Sequence, residues 1–162
     1  MKRITINKKE YTFKFSIEAS LYDECTISVM DIFLKGGMAK GAMENEDVNS
    51  AMENLITTIA NLPKKALTLF YAGLLEYHGT EGDKSIQSIS DAKKLLADYL
   101  LEEKKSFRDV LGEMIDLMAD DNFFDLIGLN QITTDLEKET ESTKEGAETP
   151  STSDGMDTSE KQ

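Results

Sequence analysis

Tryptophan is absent from this 162-residue chain, histidine and cysteine occur once each, and proline occurs twice. A single cysteine cannot close an intrachain disulfide, and Cys25, set in LYDECTISV, reads as a small apolar residue on a helix rather than a reactive thiol. Such a chain suits a reducing cytoplasm. One histidine and one cysteine do not complete a soft-metal site, no Gly-Lys-Ser/Thr phosphate loop occurs, and no serine or cysteine stands at a motif spacing from His78. Acid pairs such as Asp23 with Glu24, or Asp120 with Asp121, have the residue types of a glycosidase or magnesium site, yet charge runs of this kind are most often solvated helix ends. No catalytic residue, metal site or cofactor is therefore expected. His78 follows LTLFYAGLLEY and precedes Gly79, which suits a cap at the negative end of a helix dipole. No run of about 18 apolar residues appears, and the basic pair at the start leads straight into alternating polar and apolar residues. Neither a membrane span nor a secretory signal is expected.

Positive charge is also scarce. Eighteen Lys and Arg stand against thirty-one Asp and Glu, a net charge of −13 whose field repels phosphates and anionic lipid. Nucleic acid and membrane are accordingly not expected as partners. With 40% hydrophobic residues, the chain can bury one modest core, so one domain is expected. Its composition changes after NFFDLIGL: residues 130–162 contain no aromatic residue and carry nine acids against three lysines. A segment of that kind cannot bury enough apolar surface to offset its chain entropy. The expected division is a folded domain over 1–129 and a disordered acidic tail over 130–162.

Within the folded part, two periods are present. Ile4 and Ile6 share one face of a short strand, and Tyr11, Phe13, Phe15 and Ile17 share one face of the next, with Asn7-Lys8-Lys9-Glu10 as the connection. Two strands alone are marginal in water, so the Phe13 and Phe15 face should rest on helices as a small lid, with an edge open to assembly. From Ser16, a candidate N-cap, helical spacing takes over through Ile17, Leu21, Cys25, Ser28, Val29, Ile32 and Phe33 until Gly36 and Gly37 stop it. GGMAKGAMENED reads as a connector. Asp47 then caps a helix bearing Val48, Ala51, Met52, Leu55, Ile56 and Ile59, and Pro63 breaks it and opens the next, which bears Ala66, Leu67, Phe70, Tyr71, Leu74 and Leu75. Ser88 with Asp91, and Ser106 with Asp109, start two more helices. The class is mainly α with an N-terminal β-hairpin, an α+β chain with about five helices. Eight methionines are spread over several segments, as core or loop filler or as an adaptable binding surface.

This order of parts, opening on I-x-I-x(4)-Y-x-F-K-F, resembles the tail assembly chaperones of long-tailed, siphovirus-like bacteriophages and related prophages of Gram-positive bacteria. In that family the first strand is ITINGK-like and the second EYxFKF-like, matching Ile4 to Lys9 and Glu10 to Phe15 here. The likeness runs through the hairpin into the start of the first helix; the remainder agrees in helix content and size. Lys8 stands where a turn glycine is common in the family, and the acidic tail extends a body that is often shorter. The resemblance implies a non-catalytic protein of the host cytoplasm, left out of the mature virion. Its implied partners are the tape measure protein, which it coats and keeps soluble, and the tail tube protein, which a C-terminal extension recruits. A long form made by translational frameshifting also belongs to that picture.

No residue-level site transfers with the resemblance. From the residues themselves, the candidate surface for a partner or for self-association is Phe123, Phe124, Leu126 and Ile127, an apolar cluster beside the acidic tail. Packing back on the core is the commoner fate of such a cluster. Two other classes remain open: a general acidic helical adaptor or regulatory protein, and an acidic nucleic-acid mimic that inhibits a DNA-binding enzyme.

Overall fold

A computed structural model describes residues 1–42, 48–129 and 131, and the surroundings of side chains at 1–33, 56–129 and 131. The expected tail, save residue 131, and the cap assigned to Asp47 lie outside the described residues. The hairpin comes first, with strands β1 (Lys2–Ile6) and β2 (Lys9–Phe13). Helices α1 (Ile17–Ser20), α2 (Asp23–Ala42), α3 (Val48–His78), α4 (Ile89–Glu103), α5 (Phe107–Asp120) and α6 (Phe123–Leu126) follow. A mainly helical chain with an N-terminal hairpin is thus the observed class.

β1 and β2 pair antiparallel, with Ile6 opposite Lys9, which leaves Asn7 and Lys8 as a two-residue turn. Both turn residues have positive φ, 52° and 64°, the type I′ geometry whose twist matches the strands. The turn is shorter than the four-residue connection expected, because Lys9 and Glu10 pair within the sheet. Ile4, Ile6, Tyr11, Phe13 and Phe15 all face inward and are buried, as their alternation requires. Ile17 does not continue that face: it begins α1 and is 63% exposed.

The expected first helix is divided. Tyr22 N–H bonds the Ala19 carbonyl (3.3 Å) and Cys25 N–H the Tyr22 carbonyl (2.8 Å), tight three-residue bonds that turn the chain between α1 and α2. Ser20 Oγ donates to the Ile17 carbonyl (2.7 Å), competing with the helical ladder there, and Asp23 and Glu24 place acids at the new N-terminus. Ser16 occupies the cap position of α1 but makes no side-chain cap bond.

Two expected breaks are absent. The α2 backbone runs through Gly36 and Gly37 to Ala42. Glycine costs a helix about 1 kcal/mol but stops it only where the chain turns left-handed, and strong helix formers flank this pair. Likewise α3 is one helix of 31 residues with Pro63 inside it. The Pro63 ring is exposed on the helix surface. Beyond it the helix buries Ala66, Leu69, Phe70, Ala72 and Leu74, which offsets the roughly 3 kcal/mol a mid-helix proline costs.

The Ser88 and Ser106 starts are as expected. Ser88 Oγ accepts from Asp91 N–H, and Ser106 with Asp109 closes a reciprocal capping box. The C-terminal half of α3 is the centre of the core. Phe13 meets Phe70 edge-on at 4.8 Å, Phe15 lies 5.4 Å from Phe123, and Phe70 lies 6.0 Å from Tyr99. Gly73 lets the hairpin come this close, since a Cβ there would stand 3.1 Å from the Phe13 ring.

Candidate partner-binding surface

Several backbone N–H groups of the hairpin and the residues after it are bonded to the helices beneath, which bears on whether its edge is open. Thr12 N–H donates to His78 Nε2 (3.0 Å), Lys14 N–H to the Gly73 carbonyl (2.8 Å) and Phe15 N–H to Asp121 Oδ2 (2.8 Å). At the turn, Asn7 N–H reaches Glu102 (3.0 Å) and its side-chain amide reaches Asp98 (2.7 Å). The described β2 edge is thereby occupied by α3 and α5 at Thr12, Lys14 and Phe15.

His78 ends α3 as expected, but its ring bonds a strand and a loop rather than capping the helix's last carbonyls. It is buried at the end of α3, and its Nε2 accepts from Thr12, so the ring proton sits on Nδ1, facing Asp83 Oδ2 (3.0 Å) and Ser85 Oγ (3.2 Å). Hydrogen bonds from Ser85 and His78 hold the Asp83 carboxyl down at about 2. This histidine ties a loop and a strand to the end of α3.

Other polar clusters join elements in the same way. Tyr99 is buried, its hydroxyl donates to Glu113 (2.8 Å) and accepts from Lys105 (2.6 Å), and Lys105 pairs directly with Glu113. Burial pushes the Glu113 carboxyl up, but the bonds from Lys105 and Tyr99 more than reverse this and leave it below its ordinary value. The Lys14 ammonium is bound to Glu76 (2.6 Å), which raises its pKa, and Ser16 Oγ lies near that carboxylate without closing a hydrogen bond of ordinary geometry. Asp121 also receives the amino group of Met1. Each acid here has a structural neighbour, and no group of three or more His, Cys, Asp or Glu suited to a metal occurs among the described residues. Burial pushes the Cys25 thiol up to about 12, the state of an unreactive core residue at neutral pH.

The four residues expected to meet a partner are brought together on and just after α6, facing mostly inward. Phe123 is fully buried against Phe15; Phe124 is half-buried and stacks edge-on with Phe33 at 5.0 Å; Ile127 packs on the core; Leu126 is 51% exposed. Leu126 alone of the four presents an exposed side chain.

A larger apolar surface lies on α3. Ile56, Ile59, Pro63, Ala66, Phe70 and Gly73 succeed one another in alternating steps of three and four, one continuous helix face. Its lower part, from Ala66 on, is buried under the hairpin, α4 and α5. Its upper part is bare: Ile56 is 62% exposed, Ile59 59%, and Pro63 is exposed too. On the opposite side of α3, Asp31 of α2 pairs with Lys65, and Ile27, Ser28, Asn61 and Lys64 join them around an open groove of about 260 Å³. Sequence reasoning places Ile56 and Ile59 on an apolar helix face but not in the open; the available signal was that their spacing passes through Pro63 unbroken.

No helix among the described residues is long and apolar enough to cross a membrane. Compared with family models, with curated proteins and with solved structures, the chain matches none.

Proposed function

We propose that this protein is a non-catalytic assembly chaperone of the phage tail kind, which covers apolar helix faces of a tape measure protein and helps bring tail tube subunits to it. The observation that carries the reading is the hairpin: Ile4 to Phe15 has the family's strand pattern, and Lys8 occupies a left-handed turn position that favours the glycine common in the family. One further feature supports it. The chain's net charge of −13 would keep a complex with a long apolar helix in solution. In this reading the protein acts in the host cytoplasm and is left behind when the virion is complete.

Co-expression with the tape measure protein of the same genome tests it. The tape measure protein should move from the pellet into a soluble complex that survives size-exclusion chromatography, since covering its apolar stripes removes what drives aggregation. Persistence of that protein in the pellet overturns the assignment.

A further inference from the structure

The exposed upper part of the α3 face has an unusual charge pattern. Charged residues make up 30% of the chain, yet residues 48–62, VNSAMENLITTIANL, contain one, Glu53, and the stretch from Ile56 to Leu62 contains none. Depletion of charge around apolar residues is the compositional mark of an interface centre. Neutrality also narrows the choice of occupant. A basic partner would be drawn to the acidic surface and would gain nothing from an uncharged contact. A second copy of this chain carries the same −13 and can approach closely only where charge is missing.

We infer that Ile56, Ile59 and Pro63 form a self-association surface on which the α3 helices of two copies pack against each other about a two-fold axis. The three-four spacing is that of helix-on-helix packing, and the same spacing already buries Ala66 and Phe70 lower on the helix. A two-fold axis uses one patch twice, so two copies of a stripe with no outward charge satisfy each other and close the assembly at a dimer. The inference stands apart from the chaperone reading, because it uses only this helix and the charge of the chain.

Sedimentation velocity and light scattering of the full-length chain over a range of concentrations test it. The native protein should show a concentration-dependent dimer that strengthens as salt rises, since screening weakens the repulsion between two acidic bodies. Ile56→Glu/Ile59→Glu should weaken the dimer by about tenfold or more, by placing like charges across the axis. Its helical circular dichroism and unfolding midpoint should stay unchanged. The uncharged pair Ile56→Ser/Ile59→Ser should act in the same direction with a smaller effect, and Leu126→Glu should leave the dimer intact. A native chain that stays monomeric at every concentration and salt overturns the inference. So does a dimer that survives both Ile56/Ile59 variants, a dimer that dissociates with Leu126→Glu in their place, or assembly that grows without stopping at two.

Discussion

The two halves of α3 share one apolar face and differ in everything laid upon it. Below Pro63 the face holds Ala66, Phe70 and Gly73, and the hairpin, α4 and α5 cover it so fully that Phe70 has no exposed surface. Above Pro63 it holds Ile56 and Ile59, each more than half exposed. Periodicity reports which side of a helix is apolar; it is silent on what covers that side, because cover comes from elements distant in sequence. A helix can thus be core at one end and interface at the other without any change in its pattern.

The largest expected difference between the halves is in stability. Phe70→Ala removes a ring packed between Phe13 and Tyr99 and should cost about 3–5 kcal/mol. Ile59→Ala removes a side chain that meets mostly solvent and should change stability by less than about 0.5 kcal/mol. Denaturant unfolding of both variants, at a concentration where the chain is monomeric, checks this. Similar losses at the two positions would mean that the upper half is covered in solution.

Much of the covered half was legible in the sequence, and the reasons it stopped being legible are local. Alternation in ITI and YTFKF marked the buried side of the hairpin, and the Ser88 and Ser106 starts were visible because a cap is decided within four residues. Pro63 was misleading for the opposite reason. A local breaker ends a helix only when nothing stronger holds it, and the packing of Phe70 and Leu74 lies outside any short window. The Gly36-Gly37 pair misled because glycine ends a helix only where the chain turns left-handed, and strong helix formers flank it. The division at Leu21 and Tyr22 was hidden because Ile17 and Leu21 fit helical spacing while facing solvent. At the candidate site, the apolar character of Phe123 to Ile127 was readable, but the Phe15 ring that receives Phe123 lies at the other end of the described chain.

A second experiment acts on the cover itself. Asp121 accepts from Phe15 N–H and from the Met1 amino group, so Asp121→Ala leaves two donors at the hairpin's base without their partner. A loss of about 1–3 kcal/mol is expected, with Asp121→Asn milder because its amide oxygen still accepts. Amide hydrogen exchange should show the loosening in β2 and the lower part of α3. An equal rise in exchange around Ile56 would break the comparison between the halves.

Acid should act on the same side. The Asp83 carboxyl sits at about 2 in the folded chain against about 3.9 in an unfolded one. Glu76 and Glu113 are also held below their ordinary values: burial raises each, and the bond and charge of Lys14 with the nearby Ser16 hydroxyl on the one, and bonds from Lys105 and Tyr99 on the other, outweigh it. A depressed folded pKa stabilises the fold above the unfolded value and ceases to do so as pH falls through the folded one. Stability should therefore decline from about pH 4 toward pH 2, and Asp83→Asn should flatten part of that decline. Thermal melts across this range read the slope, which stays small because Asp83 is half exposed.

The smallest effect has the opposite sign and concerns the turn that shapes the cover. Asn7 and Lys8 both stand at positive φ, where any Cβ crowds the neighbouring carbonyl, and asparagine, whose short polar side chain can hydrogen-bond to the local backbone, tolerates this better than lysine. Replacing Lys8 by glycine makes the turn Asn-Gly, the pair a type I′ hairpin favours most. Glycine also loses more freedom on folding, which takes back part of the gain. A net stabilisation of about 0.5–1 kcal/mol is expected for Lys8→Gly, seen as a higher denaturant midpoint with an unchanged slope. Lys8→Val, with a branched side chain at the same φ, should move the midpoint down. Because the turn touches α4 through Asn7 and lies away from Ile56 and Ile59, neither variant should alter self-association. A Lys8→Gly chain no more stable than the native one would mean that the turn is not left-handed at residue 8, and the tight hairpin that presses Phe13 onto the lower half of α3 would have to be redrawn.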